Sequence, residues 1–161
     1  MKRSIIAAFV GLCMMVIDSP AQMAMDSAVY DETMWSMKKR RMVMDHLDLS
    51  EAEKASFWPL YESYSRAIQF IETETLEIIA ACNDTAYPIE SSDVEKYSRK
   101  MLQNDLLLDR VRIQYYKKFS RALSPSRASQ FMQLDDNLRM MLRIEVQDAA
   151  QGSAEAQASL R

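Results

Sequence analysis

No glycine occurs between residues 22 and 151; the chain has only Gly11 and Gly152. Tight hairpin turns, phosphate-cradling loops and nucleophile elbows nearly all need a residue that tolerates positive φ or a close backbone approach. A stretch this long without one argues against most α/β enzyme architectures and against sheet. It predicts an all-α fold of one domain.

Caps and periodicity place four helices. The first spans about 27–46 and is opened by Asp26 or Ser27. The second opens at Ser50, with Glu53 three residues on as a capping box, and runs to about Ala81. Its apolar positions, from Phe57 through Tyr61, Tyr64, Ile68, Ile71 and Thr75 to Ile78 and Ile79, follow helical steps. Pro59 removes a backbone donor inside this helix and predicts a bend there. Cys82–Ser91 is the one interior loop, and Ser92 with Glu95 is a second capping box opening a helix over 93–122. The inward face of that helix reads Val94, Tyr97, Met101, Leu108, Val111, Tyr115 and Phe119, with Asn104 and Asp105 interrupting it. Ser124 then caps a fourth helix with Pro125 in its first turn. This helix carries Phe131, Leu134, Leu138, Met141 and Leu142 and fades near Val146. Residues 147–161 hold few large apolar side chains and read as a disordered tail. Helices two and three are matched in length, which predicts a long, bent antiparallel hairpin. Two such apolar stripes exceed what a lone hairpin buries, so the other helices and a second copy of the chain are both expected to cover them.

The N-terminus reads as an export signal over residues 1–21. Lys2 and Arg3 precede the apolar run Ile5–Ile17, and Ser19-Pro20-Ala21 offers small residues for cleavage. The run is too short for a good membrane span, which argues against an uncleaved anchor. Leu12 before Cys13 argues against lipoprotein processing. The leader carries Lys2 and Arg3 against Asp18, so without it the net charge of −3 becomes −4. That acidity argues against a nucleic-acid partner. Cys82 is the one cysteine beyond the leader, so no intrachain disulfide is available to the helical domain over 22–146.

The two capped starts echo each other at an offset of 74: Leu49-Ser50 against Leu123-Ser124, Phe57 against Phe131, Leu60 against Leu134 and Tyr64 against Leu138. Leu47-Asp48-Leu49-Ser50-Glu51-Ala52-Glu53 and Leu123-Ser124-Pro125-Ser126-Arg127 resemble the paired Leu-Thr-x-x-Gln motifs of the Spy/CpxP family of periplasmic chaperone and stress proteins. Glu53 and Arg127 stand where that family often has Gln; Glu53 keeps the capping chemistry, whereas Arg127 cannot accept the bond. The resemblance implies a hairpin that dimerises into a curved cradle. It also implies one of three activities: ATP-independent holding of unfolded or envelope proteins, accessory binding to a sensor kinase, or periplasmic metal sensing.

The first helix holds the residues for such contacts. Met34, Trp35, Met37, Met42 and Met44 surround four consecutive cations, Lys38, Lys39, Arg40 and Arg41. Methionine is soft and adaptable, and cations attract acidic segments, so Met34, Trp35, Met37, Lys38–Arg41 and Met44 are the candidate client-binding set. Met42 and His46, one turn apart, are a weak candidate pair for a soft ion such as Cu(I), although a histidine closing a helix has a simpler electrostatic reason. Glu72, Glu74, Glu77, Asp135 and Asp136 read as solvated faces, and one histidine beyond the leader supports neither a di-iron site nor a triad. No enzyme and no cofactor are expected. Export with cleavage predicts a mature chain beginning at Gln22; intact mass measured on exported material checks this, and a species retaining Met1 would contradict it.

Overall fold

A computed structural model describes residues 32–84 and 89–158, with side chains from 34 to 84 and from 89 to 152. The leader, Cys13 and the expected opening at Asp26 or Ser27 lie outside these residues. The described residues form four helices and no strand: α1 Glu32–His46, α2 Glu51–Asn83, α3 Ser91–Ala122 and α4 Pro125–Ala158. None is long and apolar enough to cross a membrane.

The hairpin is present. α2 and α3, of 33 and 32 residues, are each about 50 Å long. Ser63 meets Tyr115 near one end and Thr75 meets Asn104 further along, so they run antiparallel. α4 returns beside both. It is antiparallel to α3, where Phe131 meets Phe119 and Arg143 meets Asp105, and parallel to α2, where Phe57 meets Phe131 and Asn83 meets Gln151. α1, only 15 residues, lies antiparallel across α2: Trp35 clusters with Leu76, Lys39 meets Glu72 and Arg40 meets Glu62.

The sequence echo has a spatial meaning. Phe57 and Phe131 touch edge-on at 5.2 Å between ring centres, and Phe119 closes against Phe131 at 4.6 Å. Tyr61, Tyr64 and Tyr115 extend this aromatic layer, each pair contributing about 0.5–1.5 kcal/mol beyond simple burial. Leu49 is buried in the same core and Leu123 packs against it, so both Leu-Ser turns sit at one end of the bundle.

Two of the three expected caps are formed. Glu53 N–H donates to Ser50 Oγ at 3.3 Å while Ser50 N–H donates to the Glu53 carboxylate at 2.9 Å, a reciprocal box. Ser124 Oγ accepts from Arg127 N–H at 3.2 Å, and the Arg127 side chain turns to Gln130. The third differs. α3 starts at Ser91 with Glu90 as an N-cap that makes no side-chain bond, and Ser92 is exposed inside the first turn. Asp93 in that turn faces the positive helix end, which favours the earlier start. α2 is unbroken through Pro59, and Ala55 and Pro59 both lie on its exposed side, where a carbonyl without its helical donor costs least. α4 continues past Val146 to Ala158, with Gln151 bonded to Asn83, where the sequence reading ended it. Local apolar content missed that support from α2. Met141 and Val94, assigned to inward faces, are largely exposed.

Replacing Ser50 with Ala is expected to cost about 1–2 kcal/mol and Ser124→Ala about 1, whereas Ser92→Ala should change stability by less than about 0.5. Urea denaturation followed by circular dichroism reads all three.

Candidate functional site

Two faces of α1 define the site. Inward steps of four place Trp35, Lys39, Val43 and, just past the helix end, Leu47 against the bundle, all buried. Lys39 therefore sits in phase with an apolar stripe, at 6 % exposure. Its Nζ reaches Asp135 Oδ1 at 3.0 Å and Glu72 Oε1 at 3.5 Å. Asp135 itself has no exposed surface. Its Oδ2 accepts from the Tyr64 hydroxyl at 2.6 Å and lies 3.2 Å from Arg139 Nε. Arg139 also contacts Asp136, which Arg112 of α3 engages from the other side. The core of this network, two carboxylates and two cations, is neutral overall.

Burial opposes charge throughout the cluster, and geometry decides which charges survive. Asp135 is penalised by burial, yet Lys39 and Arg139 outweigh the penalty and hold its carboxyl below the usual carboxylate range. For Glu72 burial dominates over the attraction of Lys39 and pushes its pKa up. Burial alone would weaken the Lys39 ammonium, but Asp135 and Glu72 raise it above its ordinary 10.5. Burial and the neighbouring Asp135 charge keep Tyr64 a neutral donor. Reading Glu72 and Asp135 as solvated is therefore corrected: both are paired inside the bundle, Glu72 with Lys39 and Arg139 from other helices, Asp135 with Lys39 of α1 and Arg139 of its own helix.

The outward face of α1 is different. Met34, Met37 and Met44 are 67, 63 and 59 % exposed, spaced by three and seven residues on one side, with Arg41 between them. Lys38 stands beside this stripe, paired with Glu145 at 2.7 Å and set over the Trp35 ring at 4.7 Å. Arg40 stacks over Trp58 at 4.2 Å and pairs with Glu62 at 3.3 Å. The candidate set thus splits: Met34, Met37, Lys38, Arg41 and Met44 face outward, Arg40 is engaged at the rim, and Trp35 and Lys39 belong to the interior. His46 Nδ1 bonds the Met42 carbonyl at 2.8 Å at the helix end, while the Met42 side chain packs against the core. Among the described residues no three or more His, Cys, Asp or Glu side chains are grouped to hold a metal ion.

Other features escaped the sequence reading. Asn104, taken as interrupting the α3 stripe, is buried in it and donates to Thr75 Oγ1 at 3.3 Å. Opposite that stripe, Leu102 is 72 % exposed, with Leu106 and Ile113 also exposed along the same outer line. Cys82 is an exposed thiol near the hairpin end. No family model matches this chain, and comparisons with curated proteins and with solved structures also find no match.

Removing Asp135 takes the fully buried counter-charge from Lys39 and Arg139 and leaves them Glu72 and Asp136, both nearer the surface. Asp135→Ala is expected to cost about 3–5 kcal/mol near neutral pH. The pH signs follow from the shifts. Asp135, held low, stabilises fully above its unfolded value near 3.8, and this is lost as pH falls through its folded value. Lys39, held high, stabilises fully below 10.5, and this is lost as pH rises through its folded value. Glu72, raised, acts oppositely to Asp135 and blunts the acid loss. Tyr64, also held high, adds to the alkaline loss. Urea midpoints across pH should show an alkaline decline that Lys39→Met makes shallower; an unchanged decline would show that Lys39 carries no such linkage.

Proposed function

We propose that this chain is an exported, ATP-independent holdase of the Spy/CpxP type, binding unfolded or envelope proteins through the outer face of α1. The observation that carries the reading is the methionine stripe. Methionines commonly fill cores, yet Met34, Met37 and Met44 point away from a core that α1 already supplies through Trp35, Val43 and Leu47. Flexible thioethers on a surface repack against many apolar sequences. Arg41 and Lys38 add attraction for acidic segments, and their pairings with Asp45 and Glu145 are exposed and weak enough to exchange. The leader supports export to a periplasm, and the two Leu-Ser starts at one end of the bundle support the family reading. The alternatives in that family, an accessory to a sensor kinase and a metal sensor, would use the same fold.

A homodimer belongs to this proposal. Leu102, Leu106 and Ile113 form an apolar line on the outer side of α3 that α1, α2 and α4 leave uncovered, and it is the surface on which we seat the second copy. Light scattering is expected to give a dimer that Cys82→Ser leaves intact; a monomer at micromolar concentration would remove this part.

The mature protein should slow aggregation of an unfolded model protein without nucleotide. Met→Ser at 34, 37 and 44 together should weaken capture roughly tenfold or more at any salt. Lys38→Glu with Arg41→Glu should act mainly at low salt, since charges are screened within about 8 Å at physiological ionic strength. Wild-type protein without anti-aggregation activity would end the holdase reading, leaving a sensor domain as the partner to seek.

A further inference from the structure

We propose that the α1 surface is gated by oxidation: Met34, Met37 and Met44 are modification sites for peroxide-class oxidants, and their sulfoxides release bound polypeptide. The inference rests on α1 being the client-binding face. Its own support is the contrast in methionine environments. The three stripe residues have most of their surface open, whereas Met132 is 8 % exposed and Met42 is packed against the core. Met140 on α4 is also open, at 58 %, but stands outside the stripe.

The chemistry needs only the thioether and a peroxide. The sulfur lone pair attacks the O–O bond; one oxygen transfers to sulfur and the other departs as water or an alcohol. Sulfur is oxidised by two electrons and the peroxide is reduced by two. A methionine sulfoxide reductase restores the thioether with two electrons from a dithiol, the oxygen leaving as water. The product replaces a soft apolar contact with a strongly polar S–O group, which an apolar client segment cannot satisfy. Three such groups lie along one helix face, so the change converts the whole stripe. Meanwhile Trp35, Lys39, Val43 and Leu47 hold the opposite face of α1 in the bundle. The surface can therefore switch while the helix stays docked.

The test treats purified protein with limiting hydrogen peroxide and maps sulfoxides by peptide mass spectrometry, with client protection and circular dichroism measured in parallel. Sulfoxides are expected first at 34, 37, 44 and 140, with Met42 and Met132 lagging and helicity unchanged. Protection should weaken roughly tenfold and return after methionine sulfoxide reductase. The variant Met34→Leu/Met37→Leu/Met44→Leu keeps an apolar stripe without the reactive sulfur; compared with its own untreated protection, whatever that is, it should lose nothing to peroxide, although it retains Met140. Loss in that variant equal to the wild type, or loss of helicity on oxidation, would overturn the gate. So would full protection by protein carrying all three sulfoxides. An untreated wild type with no protective activity would overturn the holdase reading and the gate together, so the two failures are distinguishable.

Discussion

Asp135 is a carboxylate with no exposed surface, and its ionisation depends on groups from three different helices. Lys39 comes from α1, Tyr64 from α2 and Arg139 from α4 itself. Taking such a charge out of water costs several kcal/mol, which only well-placed partners offset. Any rotation or sliding of α1 would strand Asp135 beside its second cation and leave Lys39 without a counter-charge in an apolar layer. The single lysine therefore sets both the height and the rotation of α1. Because that rotation is set, Met34, Met37 and Met44 point outward together.

Apolar packing supplies the attraction that this network orients. The aromatic layer around Phe57, Phe119 and Phe131 joins α2, α3 and α4, and Val43 and Leu47 bring α1 into the same cluster. Hydrophobic contact is weakly directional, and a short amphipathic helix could settle on that surface in several ways. A buried ion pair adds little net stability over an apolar replacement but penalises wrong arrangements strongly. The division is between packing, which holds α1, and charge, which aims it.

Much of the scaffold was legible in the sequence. The missing glycines led to an all-α fold and periodicity to four helices, the Ser50-Glu53 box and the Ser124-Pro125 pair located two starts, and the offset of 74 marked two helices that pack side by side. What was missed shares one cause. Lys39 was read as client-facing, Glu72 and Asp135 as solvated and Asn104 as interrupting, although each falls in phase with an apolar stripe. Lys39 lies between Trp35 and Val43, and Asp135 between Phe131 and Leu138, at helical steps. A polar residue in phase with a buried face needs a partner on another helix, and periodicity within one helix cannot name it. The same limit explains α4 beyond Val146, which Asn83 supports from outside its own segment. It also explains why the four consecutive cations seemed equivalent: only the packing of α1 separates the buried Lys39 from the outward Arg41.

Site-specific photo-crosslinking tests the proposed client face most directly. A photoreactive side chain would be placed in turn at positions 37, 44 and 106 of the chain from Gln22 onward, which would then be irradiated with an unfolded polypeptide. Adducts concentrated at 37 and 44, with few at 106, are the expected result. Adducts centred on 106, or equal at all three positions, would contradict the assignment of client binding to α1.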